Sequence, residues 1–232
     1  MPCWICGAPA TSGEHLPKAS NLCELFGEVT QQRPLFHNSA RRRNRRLQSV
    51  DSTHIKLRVL CDRCNSSVTQ PFDRAWDVFW DYLSQNRASL DTGSVIRRNR
   101  LFRFRARARM IDLHLYAVKL FGCVAAQFSM PLDIARMADA IKQRRPFSNI
   151  YVGVGKRDWL PGITLAGPSD VNSLNDDKGR CVFAVWFLAI GAWEFQFIYS
   201  EPGQRRDGLI DTWNPVSTLC TRQIRLKEFP TE

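Results

Sequence analysis

Two cysteine pairs constrain this chain more than any other feature: Cys3-x-x-Cys6 and Cys61-x-x-Cys64, separated by 54 residues. A CxxC turn places two thiolates on one side of a tight loop, and two such turns complete a tetrahedral site. A chain built this way must bring its N-terminus back to residue 61. Four cysteines leave no open position, so the metal is expected to be structural, and the thiolate donor set points to zinc. Merely buried thiols seldom come as two matched pairs. The other cysteines, Cys23, Cys123, Cys181 and Cys220, have no partner spacing and read as ordinary core or surface residues. Met1 to Ala10 has Cys and Pro where a signal peptide would have an apolar stretch, so the cysteines are expected to bind metal in a reducing compartment.

Charge narrows the function. Residues 1–150 hold 24 Lys/Arg against 12 Asp/Glu, whereas residues 151–232 hold 9 against 10. The net charge of +11 therefore belongs to the first two-thirds. A localised basic surface attracts polyanions, nucleic acid foremost, and an even solubilising charge would not be so divided. Hydrophobic residues are 44% of the chain, with 7 Trp and 14 Phe, which excludes a disordered chain. The longest apolar run, Cys181 to Trp193, is too short to span a bilayer. A soluble, cytoplasmic protein with no membrane partner is expected.

Phe72, Ala75, Trp76, Phe79, Trp80 and Leu83 recur at helical spacing, predicting an amphipathic helix that ends near Asn86. In residues 103–109 Arg alternates with Phe or Ala, which favours a strand with Arg103, Arg105, Arg107 and Arg109 on one face over a helix, which would spread the charge around its cylinder. Residues 110–128 read as a largely buried helix, and Pro131 opens a shorter one that closes near Arg145. Beyond Phe147 the texture turns β: Ile150 to Val154, Ile163 to Ala166, Cys181 to Ile190 and Trp193 to Tyr199, divided by turn clusters. The expected fold is α+β, with an N-terminal module (residues 1–90) and a helical and β-rich C-terminal domain (residues 91–232).

Between the knuckles lies Glu14-His15-Leu16-Pro17-Lys18, and the second knuckle reads Leu60-Cys61-Asp62-Arg63-Cys64-Asn65-Ser66. With Cys3-Trp4-Ile5-Cys6, this order resembles the zinc-knuckle branch of the HNH (ββα-metal) endonucleases over roughly residues 1–70. The resemblance implies a zinc-bound ββα unit. Its first strand and loop would carry Glu14 and His15, its second strand would be Ile55 to Leu60, and its helix would run from near Asn65 toward Trp76, with Pro71 interrupting it. It implies His15 as general base, and Glu14 and Asn65 as oxygen ligands of one Mg²⁺ or Mn²⁺. These residue types suit the chemistry. A divalent cation neutralises charge developing on a phosphodiester, hard cations favour oxygen, and a neutral imidazole can take a proton from water. The family commonly has His at the position of Asn65. Its middle Asn, which orients the His loop, has three candidates here: Asn38, Asn44 or, by replacement, His54. On residue type alone, His15 also reads as a loop histidine and Asn65 as a helix cap.

The stretch from Pro34 to Thr53 is long for such a unit and carries Arg41, Arg42, Arg43, Arg45 and Arg46. With Lys18, Arg103, Arg105 and Arg107 these form the expected nucleic-acid footprint, able to hold phosphate without reading bases. DNA is the expected partner, and nothing in the sequence reports on a 2′-OH to set RNA aside. Residues 151–232, near neutral, suit a dimer interface or a protein partner. The alternative to a nuclease is a zinc-stabilised nucleic-acid-binding protein without catalysis, which has no need of Glu14, His15 and Asn65 together. By resemblance, HNH nucleases with appended domains belong to mobile elements, phages and bacterial defence.

Overall fold

The computed structural model describes residues 1–39, 42–157, 164–204, 207–216 and 221–229, with the side chains of Arg42 and Asp207 outside that description. Elements follow in chain order as β1 (Ser12–His15), α1 (Ala19–Phe26), β2 (Leu35–Ser39), β3 (Arg42–Leu47), β4 (Lys56–Leu60), α2 (Gln70–Gln85), β5 (Val95–Arg97), α3 (Arg98–Leu101), α4 (Ala106–Gln127), α5 (Ile134–Lys142), β6 (Ile150–Lys156), β7 (Ala166–Pro168), β8 (Asn172–Asn175), β9 (Cys181–Ile190), β10 (Trp193–Ser200) and β11 (Gln223–Arg225). Helices and antiparallel sheets are mixed, so the fold is α+β.

Among the described residues, three two-stranded pairs, β1–β4, β2–β3 and β5–β11, accompany one larger sheet of order β6-β10-β9-β7, with β8 also on β9. The strands with the clearest apolar pattern form the centre of that sheet. Trp193 of β10 pairs with Lys156 of β6 on one side and Ile190 of β9 on the other, and the register then runs without a shift.

The α2 stripe expected from the sequence is buried in full. It packs on α4, where Trp76 stacks on Tyr116 with ring centroids 4.6 Å apart, and Phe195 of β10 meets Trp76 edge-on at 4.8 Å. Helix α4 buries fifteen residues, because the molecule surrounds it on several sides. A single hydrophobic cluster runs from Cys3 to Leu226, crossing the boundary expected near residue 90. No helix among the described residues is long and apolar enough to cross a membrane.

Two local expectations are corrected. Residues 103–109 are not a strand: α4 begins at Ala106, so Arg107 and Arg109 lie on a helix while Arg103 and Arg105 lie on its approach. Met110 and Leu113 must reach the core one helical turn apart, and that demand extends the helix back through the arginines. The helix expected from Asn65 is also divided. Cys64–Val68 form a wide π-helical turn, and α2 starts at Gln70 with Pro71 in its first turn. A proline there lacks only an N–H that has no helical acceptor anyway, so it starts α2 and does not interrupt it.

Candidate functional site

The first loop, Cys3 to Cys6, and the turn Cys61 to Cys64 meet where expected. The four sulfurs lie within 4.8 Å of one another, and Cys3, Cys61 and Cys64 are buried. Four sulfurs at about 2.3 Å from a tetrahedral ion would stand about 3.8 Å apart, so this cluster fits a metal ion without rearrangement of the fold. The Cys64 backbone N–H points at the Cys61 sulfur at 3.4 Å and brings its pKa down to about 7, toward the thiolate that a metal requires. The loop rests on α4. Trp4 donates its indole N–H to the Cys123 sulfur at 3.4 Å, and its ring lies over Gly122. Of the remaining cysteines, Cys123 and Cys181 are buried and Cys23 is exposed, while Cys220 lies outside the described residues.

Beside the cluster, β1 pairs antiparallel with β4, placing Glu14 opposite Leu57 and His15 opposite Lys56. Successive strand residues face opposite ways, and these two do. His15 Nε2 lies 3.0 Å from the carbonyl oxygen of Val50, with Asp51 Oδ1 at 3.8 Å. A carbonyl can only accept, so the neutral ring carries its proton on Nε2 and leaves an Nδ1 lone pair that no described residue hydrogen-bonds. Burial lowers the His15 pKa and Lys56 adds to that, against the opposing pull of Val50 and Asp51. Asn65 lies inside the π-helical turn and does not cap α2. Its amide donates to Ser12 Oγ at 2.9 Å and to the Gly13 carbonyl at 3.4 Å. The side chain thus grips the strand that carries Glu14 and His15, with its oxygen Oδ1 hydrogen-bonded to none of the described residues.

Glu14 turns inward. Its Oε2 meets Lys119 Nζ at 2.9 Å, and the same ammonium meets Asp73 Oδ1 at 2.9 Å. Lys119 is 1% exposed. Burial works against its charge, but the Glu14 and Asp73 carboxylates overcome it and hold the pKa above its usual value. The expectation that Glu14 faces an ion together with Asn65 is therefore revised: its carboxylate joins β1 to α4 and α2. The lysine has a signal in the sequence, a charge in the middle of an apolar helical stretch, which must find a counter-charge. Its partners, 105 and 46 residues away, have none. Lys18 is likewise engaged, its ammonium on Asp77 of α2 at 2.6 Å.

None of the three candidates for the middle Asn holds His15 by a hydrogen bond among the described residues. The Asn38 side chain accepts from the Asn44 backbone at 2.8 Å within the β2–β3 hairpin, and His54 sits against Arg45. A backbone carbonyl, that of Val50, does the holding, and no side-chain motif could announce it. Arg43 and Arg46 are exposed on β3, Arg45 is half-buried, and Arg41 lies outside the described residues. Arg42 opposes Ser39 in the hairpin ladder. Arg103, Arg105 and Arg107 are exposed, whereas Arg109 packs over the Phe102 ring.

Comparison of the chain with protein-family models, with curated proteins and with solved structures gave no match.

Proposed function

We propose that this chain is a metal-dependent nuclease of the HNH (ββα-metal) type that hydrolyses phosphodiester bonds of DNA, with His15 as general base and a structural zinc on Cys3, Cys6, Cys61 and Cys64. The observation that carries the reading is the state of His15: a partly buried imidazole, oriented by the Val50 carbonyl, with an Nδ1 lone pair that no described residue hydrogen-bonds. Such a group is neutral near pH 7 and takes a proton from a water molecule without changing its own position. In this reading Asn65 Oδ1, which no described residue hydrogen-bonds, would be an oxygen ligand of a Mg²⁺ or Mn²⁺ ion. When bound, that ion would neutralise charge on the scissile phosphate. Glu14, tied to Lys119, fixes the strand beneath His15. Exposed arginines on β3 and before α4 would hold the phosphate backbone.

The ion pairs of Glu14 and Lys18 favour a second reading, a zinc-stabilised nucleic-acid-binding protein without catalysis, since both residues have structural partners. Cleavage of plasmid and of single-stranded DNA with Mg²⁺ or Mn²⁺ separates the two. The nuclease reading expects the wild type to cut and His15→Ala to lose about 10²-fold or more. DNA bound by both proteins and cut by neither leaves the second reading standing. The metal has its own test. Cys61→Ser or a strong chelator should release one zinc per chain and unfold the N-terminal region, because binding and folding are coupled. A chain that keeps its fold in chelator has no structural metal.

A further inference from the structure

Two phenylalanines stand outside the core in arginine-rich segments. Phe36 of β2 is 64% exposed and lies directly across the ladder from Arg46, itself exposed. The hairpin alternates as a half-buried ribbon: Leu35 and its partner Leu47 turn toward the protein, while Phe36 turns to solvent beside Arg46, which is exposed and donates to the Gln31 carbonyl. Phe104 is 85% exposed between Arg103 and Arg105, both exposed. Two residues earlier, Phe102 is buried under the Arg109 guanidinium, so the segment had a buried place for one ring and turned the other out. Leaving a phenylalanine in water forgoes the stabilisation of its burial. Single exposed rings are common and ask for no account. Here both rings have exposed arginines as their neighbours, Arg46 across the ladder and Arg103 and Arg105 along the chain.

We propose that Phe36 and Phe104 are stacking platforms for unpaired bases, so that the nucleic acid this chain binds is single-stranded or locally unpaired. The inference rests on the reading of the chain as a nucleic-acid-binding enzyme and adds the form of the substrate. In a duplex both faces of each base are covered by neighbours, and a ring reaches one only by opening a step at a cost of a few kcal/mol. An unpaired base offers its face freely. Aromatic side chains with arginines that follow the phosphates are the recurring means of holding such strands. Arginines alone would serve a duplex as well. The rings make the difference.

The test is fluorescence anisotropy with a labelled oligodeoxythymidylate, an oligouridylate of the same length and a blunt duplex, using the full zinc-loaded chain. Both rings are exposed, so Phe36→Ala and Phe104→Ala should fold normally. Each is expected to weaken single-strand binding by about five- to a hundredfold with the salt dependence unchanged, since no phosphate contact is removed. Phe36→Trp should retain affinity, and Phe128→Ala, an exposed ring flanked in the sequence by Gln127 and Ser129, should match the wild type. Tighter binding of either single strand than of duplex supports the proposal, and the comparison of the two shows whether the sugar matters. Equal or tighter binding of the duplex, or alanine variants that bind like the wild type, overturns it while leaving nucleic-acid binding intact. Binding of none of the three probes overturns this inference and the reading beneath it together.

Discussion

The Lys119 ammonium is enclosed by protein and touches two carboxylates from elements distant in sequence. Such a network stabilises little over an apolar replacement of the whole, but removing one partner leaves charges buried without compensation. Lys119→Met should therefore cost about 3–5 kcal/mol in urea unfolding at neutral pH. A loss under about 1 kcal/mol would mean that water reaches Glu14 and Asp73. His114 is a different buried group. It is fully enclosed, its Nε2 donates to the Ile150 carbonyl at 2.9 Å, and its Nδ1 has no hydrogen-bond partner among the described residues. Burial lowers its pKa to about 4. The unfolded chain takes up this proton near the ordinary value of about 6.5, whereas the folded chain holds off until about 4. Stability from His114 is thus complete above pH ~6.5 and falls as pH drops toward ~4, by up to about 3 kcal/mol. Unfolding free energies measured across that range for wild type and His114→Gln should show the wild type losing more. Parallel curves would refute the assignment.

At the scale of elements, the contact between the first cysteine loop and α4 turns on one glycine. Alanine in a helix interior is normally favoured over glycine by about 1 kcal/mol. At Gly122 the added methyl would overlap the Trp4 ring, and overpacking of that kind costs about 1–3 kcal/mol. The clash should win. Gly122→Ala is expected to lower the melting temperature and to change Trp4 fluorescence, and a rise in melting temperature would show that the loop yields freely. Elements with strong periodicity were legible in advance. The aromatic stripe of α2 has one helical solution, and β9 spans Cys181–Ile190 as its apolar run does. The four-cysteine cluster was legible because its ligands lie in matched pairs. The β2–β3 hairpin was hidden, because β3 is almost all arginine and the two apolar residues of β2, Leu35 and Phe36, are adjacent, so no apolar alternation marks either strand. Residues 103–109 misled for the opposite reason: an alternation in charge was present, but the burial of Met110 and Leu113 decided the conformation. The β5–β11 pair joins residues over a hundred positions apart, and nothing in Val95–Arg97 names its partner.

For the whole molecule, the question is whether residues 1–90 are a unit. They contain the cysteine cluster, the β1–β4 pair and α2, which is the full extent of the sequence resemblance and more. Yet the buried face of α2 is covered from outside that range: Trp76 by Tyr116 and Phe195, Phe79 by Phe195. The strand that carries His15 is tied to Lys119, and the first cysteine loop rests on Gly122 and Cys123. Each large aromatic ring buries on the order of 150–250 Å², so cutting the chain at residue 90 would return several hundred Å² of apolar surface to water, at about 25 cal/mol per Å². That loss is comparable to the entire stability of a small domain. A metal alone would hold the two cysteine turns together but would not cover α2. Residues 1–90 with zinc are therefore expected to bind the metal yet lack a sharp near-ultraviolet dichroism signal and melt without cooperativity, while the full chain unfolds in one transition. A zinc-loaded 1–90 fragment that melts cooperatively, or a full chain with two separate transitions, would show instead that the N-terminal part is a module merely attached to the rest.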